Sequence, residues 1–130
     1  MSDENNGTTP PPPVQPAAPQ PVTESDEKTW AMIAHFGQIV VGFIAPLVAW
    51  LIYKDRSAYL DSQGKEALNF SILFVIIYVV LNILGVITLG LGYILLPVVW
   101  IVQIVFNIMG GMAASRHEDY RYPFNWRIIK

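Results

Sequence analysis

His35 and His117 are the only imidazoles in the 130-residue chain, and there is no cysteine. The topology expected below puts the two near opposite faces of a membrane, so no shared zinc or copper site is expected. His35 is followed three residues on by Gln38, which puts both on one face of a helix. Two chemistries fit that pair: a proton or ligand group facing a polar cavity, or a hydrogen-bonding pair between helices. Asn69, Asn82, Gln103 and Asn107 are the remaining amides inside apolar sequence. Gln103 and Asn107 share a face and would be costly if turned to lipid. They could line a conduction path, but no carboxylate or lysine joins them to form a relay or ion ring, so bridging between helices is the plainer role. No Ser/His/Asp arrangement, paired carboxylates, phosphate-binding glycine loop or HExxH motif occurs, and basic residues are few. The chain therefore reads as non-enzymatic, without cofactor or metal, and not as a nucleic-acid binder.

The elements that carry these residues are set by charge. From Ala67 to Ser115 there is no Asp, Glu, Lys or Arg. One helix of that length would run roughly 74 Å, more than twice a bilayer's hydrocarbon core, so the stretch must turn back. Gly85, Gly90 and Gly92 supply the turn, and Pro97 suits the first turn of the next helix. Thr29 to Tyr53 is also uncharged. The prediction is an all-α integral membrane protein with three spans, at about 30–53, 67–86 and 92–114, the last two forming a hairpin. Pro46 cannot donate to the carbonyl of Gly42, so the first span is expected to kink there. Ser25 or Asp26 is the expected cap of that first helix.

Residues 1–27 form a Pro-rich tail with no apolar face to bury, expected to be disordered, leaving 28–130 as the membrane domain. Trp30 at one end of the first span and Trp50 with Tyr53 at the other suit interfacial belts. Gln38, Gly42 and neighbouring alanines on the first span, Asn82 on the second, and Asn107 with Gly111 on the third give each helix a face that prefers protein to lipid. Residues 116–130 alternate: Tyr120, Tyr122, Phe124 and Trp126 against Arg121 and Arg127. As an extended strip this puts the rings in the membrane interface and the arginines near lipid phosphates. With three spans, seven of the eight Lys and Arg share one side with the 54–66 loop and the C-terminus, leaving Lys28 on the other. That bias predicts a cytoplasmic loop and C-terminus and an external N-terminus.

The Trp50-Leu-Ile-Tyr-Lys-Asp ending, Gly64-Lys-Glu-Ala-Leu-Asn-Phe70 and the closing Tyr120-Arg-Tyr-Pro-Phe124, together with His35 and Pro46, resemble a bacterial family of small membrane proteins long labelled a domain of unknown function and grouped with Tic-twenty-like proteins. The resemblance covers roughly 28–130. It implies three or four membrane helices without known enzymatic activity, in the bacterial inner membrane. Relatives include a chloroplast import subunit thought to contribute to a channel, and magnetosome membrane proteins of the MamF/MmsF type that influence mineral growth. The expected function is a scaffold or accessory subunit working through helix contacts, with the lipid bilayer, further copies of itself or other membrane proteins as partners. The alternative is an oligomeric transport component arranging His35, Gln38, Gln103 and Asn107 around a polar path.

Overall fold

The computed structural model describes residue 7, residues 10–13 and residues 21–130; most of the Pro-rich tail lies outside the described residues. Four α-helices follow one another, with a 3-10 turn before the last, and no strand occurs among the described residues.

Helix α1 spans Glu24–Val41. Its cap is Thr23, whose hydroxyl accepts from the Asp26 N–H at 3.1 Å, and Glu24, Asp26 and Glu27 put negative charge at the positive end of the dipole. The helix thus begins inside the segment assigned to the tail, and the cap is Thr23 instead of Ser25 or Asp26. It stops at Gly42, whose φ of 63° and ψ of −138° suit glycine and almost nothing else. Helix α2, Ile44–Tyr53, then runs back along α1. The rings of Trp30 and Tyr53 are 5.0 Å apart, where a continuous helix would separate them by roughly 35 Å. Ala34 and Ala49 share a buried cluster, and Gly37 lies so close to Ala45 that a side chain on it would collide. The expected kinked span is therefore a helical hairpin. Pro46 does not bend a helix interior; it sits in the first turn of α2, where the backbone N–H it lacks would have had no partner.

Helix α3, Ala58–Ile87, is capped by Ser57, whose hydroxyl accepts from the Leu60 N–H at 3.1 Å. Asp61 to Glu66, whose polar residues suit the cap and first turns of the span predicted from residue 67, are helical, and the cap itself, Ser57, lies four residues further back. The chain reverses through Gly90, with φ 97°, and the 3-10 turn Leu91–Ile94 into α4, Leu95–Ser115. Tyr93 covers Gly85, closing this second hairpin where the glycines predicted it.

Ala58–Ile87 and Leu91–Ser115 are each long and apolar enough to cross a membrane. What these helices bury and expose is the reverse of a soluble domain. Val79, Ile83, Val98, Ile101 and Val105 are exposed, while alanines, glycines, His35, Gln38, Gln63, Asn69 and Asn107 are buried. A core helix of a soluble protein would hide its apolar side chains; these face outward and need an apolar surrounding.

Candidate functional site

The polar residues converge where the C-terminal segment returns to the bundle. After a turn at Arg116–His117 the chain has no regular secondary structure, and its alternation does place Tyr120, Tyr122 and Phe124 on one side. That side is the helix bundle, not lipid. Tyr122 is 1% exposed and stacks flat on Phe70 at 3.7 Å, with Phe74 in the same cluster, and Phe124 meets Phe106 edge-on at 5.0 Å. Phe124 stays partly exposed and Trp126 points outward.

The Tyr122 hydroxyl is the centre of a hydrogen-bond cluster linking α1, α3 and α4. It lies 2.7 Å from His35 Nδ1 and 3.1 Å from Asn107 Oδ1, and accepts from Gln38 Nε2 at 3.3 Å. Gln63 fixes the proton positions. Its Nε2 donates to Asp119 Oδ1 at 2.6 Å and to the Tyr120 carbonyl at 3.2 Å, so its Oε1 must accept from His35 Nε2 at 2.9 Å. That protonates Nε2 and leaves Nδ1 as an acceptor, so the Tyr122 hydroxyl has one proton for two acceptors, His35 Nδ1 and Asn107 Oδ1. Ser71 completes the set, donating to Gln38 Oε1 at 2.6 Å. Asn107 Nδ2 is the one amide nitrogen of the cluster without a partner among the described residues. Glycine allows this closeness: a side chain at Gly110 would strike the His35 ring, and one at Gly111 would strike Phe36.

Backbone anchors hold the strap from outside. Glu66 accepts from the Tyr122 N–H at 2.7 Å and forms a two-point ion pair with Arg127 at 2.7 and 3.0 Å. Asn125 Nδ2 donates to the Glu66 carbonyl at 3.0 Å, and Asn69 exchanges two 2.8 Å hydrogen bonds with the backbone of Ile129. Burial, together with the Glu66 carboxylate, pushes the Tyr120 phenol above its ordinary value.

The structure thus joins His35, Gln38 and Asn107 through Tyr122; Gln103 stands outside that hydrogen-bond cluster but lines one cavity with Gln38 and Ser71. Gln103 accepts instead from the Tyr78 hydroxyl at 2.6 Å, and Asn82 bonds to the Tyr78 carbonyl on its own helix. Gly42 is a turn, Pro46 is buried, and Gly111 seats α4 against α1. Trp30, Trp50 and Tyr53 lie at one end of the molecule, not at two: Trp30 meets Tyr53, and Trp50 Nε1 donates to Asp61 Oδ1 at 2.8 Å. Of the two strap arginines, Arg127 is committed to Glu66, and Arg121 is exposed. Sequence reasoning missed Gln63 and Glu66 as members. The signal was present: Gly64–Phe70 and Tyr120–Phe124, two elements quoted for the family resemblance, are the two sides of this one contact.

What the cluster does chemically is lock. His35 is enclosed on every side, with both ring nitrogens used, and no open position for a substrate adjoins it. Among the described residues no group of His, Asp and Glu is placed to hold a metal.

Residues 26–129 match the model of the magnetosome magnetite crystal formation protein family. No curated protein and no solved structure matches the chain.

Proposed function

The chain belongs to the magnetosome magnetite crystal formation protein family, and we propose that it is a non-enzymatic membrane scaffold presenting its polar end to partners on one side of the bilayer. The observation that carries this reading is the first hairpin. Because α2 returns along α1, the start of α1, the 54–57 loop and the C-terminal strap meet at one end, as Ser57 Oγ to Glu27 Oε2 at 2.7 Å and Tyr59 to the Glu118 carbonyl at 2.7 Å make plain. Helices α3 and α4 then cross the membrane, and α1 with α2 enters and leaves by the same face. Helix α2 is about 15 Å long, half the hydrocarbon thickness.

In this disposition all eight Lys and Arg and all ten Asp and Glu belong to one side, and the Thr88–Ile94 connection opposite has no charged residue. The positive-inside rule makes the charged side cytoplasmic. The N-terminus is then inside as well, in place of the external position that a single first span required. The family name refers to magnetite crystal formation, and a surface contacting a mineral directly would need acidic groups across the membrane. This chain has none there, so its contribution runs through partners. The Gly64–Phe70 and Tyr120–Phe124 elements also support a place in the wider Tic-twenty-like group.

Extraction from native membranes in a mild detergent tests the scaffold: the chain should migrate in a complex larger than its own 14.6 kDa. Reconstituted in liposomes, it should conduct no potassium. A companionless monomer would remove the scaffold reading. Potassium flux abolished by Gln103→Leu would replace it with transport.

A further inference from the structure

Outside the lock, between the first turns of α3 and the strap, lies a cavity of about 240 Å³. Its charges are unevenly matched. Lys65 bonds Asp61 at 2.9 Å and Arg127 bonds Glu66 at 2.7 Å, so two cations cancel two carboxylates. Arg121 is the third cation on the wall, and it ion-pairs with none of the described residues. Tyr120, also on the wall, has a buried hydroxyl with no hydrogen-bond partner among the described residues. Lys65 has two N–H donors beyond the one given to Asp61. The wall therefore has one cation, Arg121, beyond its two carboxylates, while Asp119 behind it accepts from Gln63 and Ser62, and Lys65 keeps free donors.

We infer that this cavity binds the phosphodiester of an anionic phospholipid, with Arg121 as its counter-charge and Lys65 as a further donor. A phosphodiester has one negative charge and acceptor oxygens on two sides, which balances the wall without breaking either existing ion pair. The depth is right for a headgroup. Asp61 on the wall holds Trp50, one of three aromatics at this end, and Ile129 gives the cavity an apolar edge. A zwitterionic lipid has the same phosphodiester, but its ammonium group brings back, beside the two cations of the wall, the positive charge that the phosphate cancels.

The inference rests on the membrane reading above, and the two fail differently. If the chain stays monodisperse in buffer without detergent, the membrane reading is lost; the lipid selectivity below can fail while it stands. The test uses the full chain in a neutral detergent, with native mass spectrometry and thermal unfolding read against added phosphatidylglycerol, phosphatidylcholine or inorganic phosphate. One saturable phosphatidylglycerol per chain and a raised Tm are expected, with neither effect from phosphatidylcholine or phosphate. Arg121→Gln should weaken phosphatidylglycerol binding about tenfold, as loss of one charge-assisted hydrogen bond implies. Lys130→Gln, a terminal cation outside the cavity, should leave it unchanged. Since Arg121 is exposed, its variant keeps the fold, and an unchanged Tm without lipid verifies that. Equal losses in the Arg121 and Lys130 variants would reduce the effect to general charge attraction and overturn the site. Phosphatidylcholine binding as well would overturn the selectivity, and phosphate alone reproducing the shift would overturn the lipid source.

Discussion

The molecule contains two helical hairpins, and they are built by opposite means. In α3 and α4 the arms are long, their outward faces are Val, Ile and Leu, and the turn is covered by a single ring, Tyr93 over Gly85. In α1 and α2 the arms are short and are drawn together by alanine and glycine, with the strap locking them to the rest. Length and apolarity alone suffice for the first kind, because lipid favours it wherever it folds. The second kind has its turn at Val41–Phe43, with Val40 85% exposed, and depends on close packing and a polar cluster at its base. An uncharged run of spanning length is therefore not yet a span.

The largest effect separates the two hairpins by side. Ser25→Cys and Leu89→Cys label the start of the first and the turn of the second, where Leu89 is 96% exposed. In intact cells an impermeant thiol reagent should modify only Leu89→Cys, and Ser25→Cys should react only after the cells are opened. Reaction of both in intact cells would restore a single first span. Next in size is the lock. Tyr122→Ala removes a fully buried ring and strands His35, so a loss of about 3–5 kcal/mol is expected, as for other buried aromatics. Tyr122→Phe keeps the stacking on Phe70 and should lose about 1–3 kcal/mol. Unfolding in mixed micelles measures both, and cysteines reporting on α1 should loosen before any at Leu89. Simultaneous loosening of both hairpins would deny the contrast.

How much of this could be read from the sequence follows the same division. The second hairpin was legible to within a few residues, since a charge-free run too long for one crossing has to turn and the glycines say where. For the first hairpin the signals were seen and assigned a different geometry. Gly42 and Pro46 predict an interruption, but a kink and a reversal differ only in the backbone angles at one glycine, and Pro46 fits either. The small residues read as a face for another helix are such a face, with α2 as the helix that meets α1. The strap's alternation was also legible; its direction was not. Rings that suit a membrane interface suit a bundle equally well, and the choice was made by Glu66 and Gln63 on α3, whose pairing with a segment more than fifty residues away has no local mark.

The glycines of the two turns give a finer test. Gly42 lies at φ 63° and ψ −138°, a region nearly closed to other residues, whereas Gly90, at φ 97° and ψ −11°, is in the left-handed region. Gly42→Ala should cost about 1–3 kcal/mol, and Gly90→Ala about 1–2 kcal/mol. Neither position has another atom within 4 Å of where a Cβ would stand, so the difference reports backbone strain and not crowding. A Gly42→Ala variant as stable as the parent would mean that the reversal has another conformation available, and a continuous first helix would again be open.

The smallest effect is one of pH. The Tyr120 phenol is raised above its ordinary value by burial and by the Glu66 carboxylate, so the folded strap favours the protonated form. A group raised in this way contributes stability that is complete below its unfolded pKa, near 10, and is lost as pH rises through the folded value. The strap should therefore loosen above about pH 10, seen as lost protection at Tyr122 and Ile129 once the base-catalysed rise in intrinsic amide exchange is divided out, while the Thr88–Ile94 turn keeps its protection. Tyr120→Phe should abolish this contribution. If the turn and the strap responded together, the two hairpins would be one cooperative unit, and the lock would stabilise the whole membrane domain and not only the half that cannot hold itself in lipid.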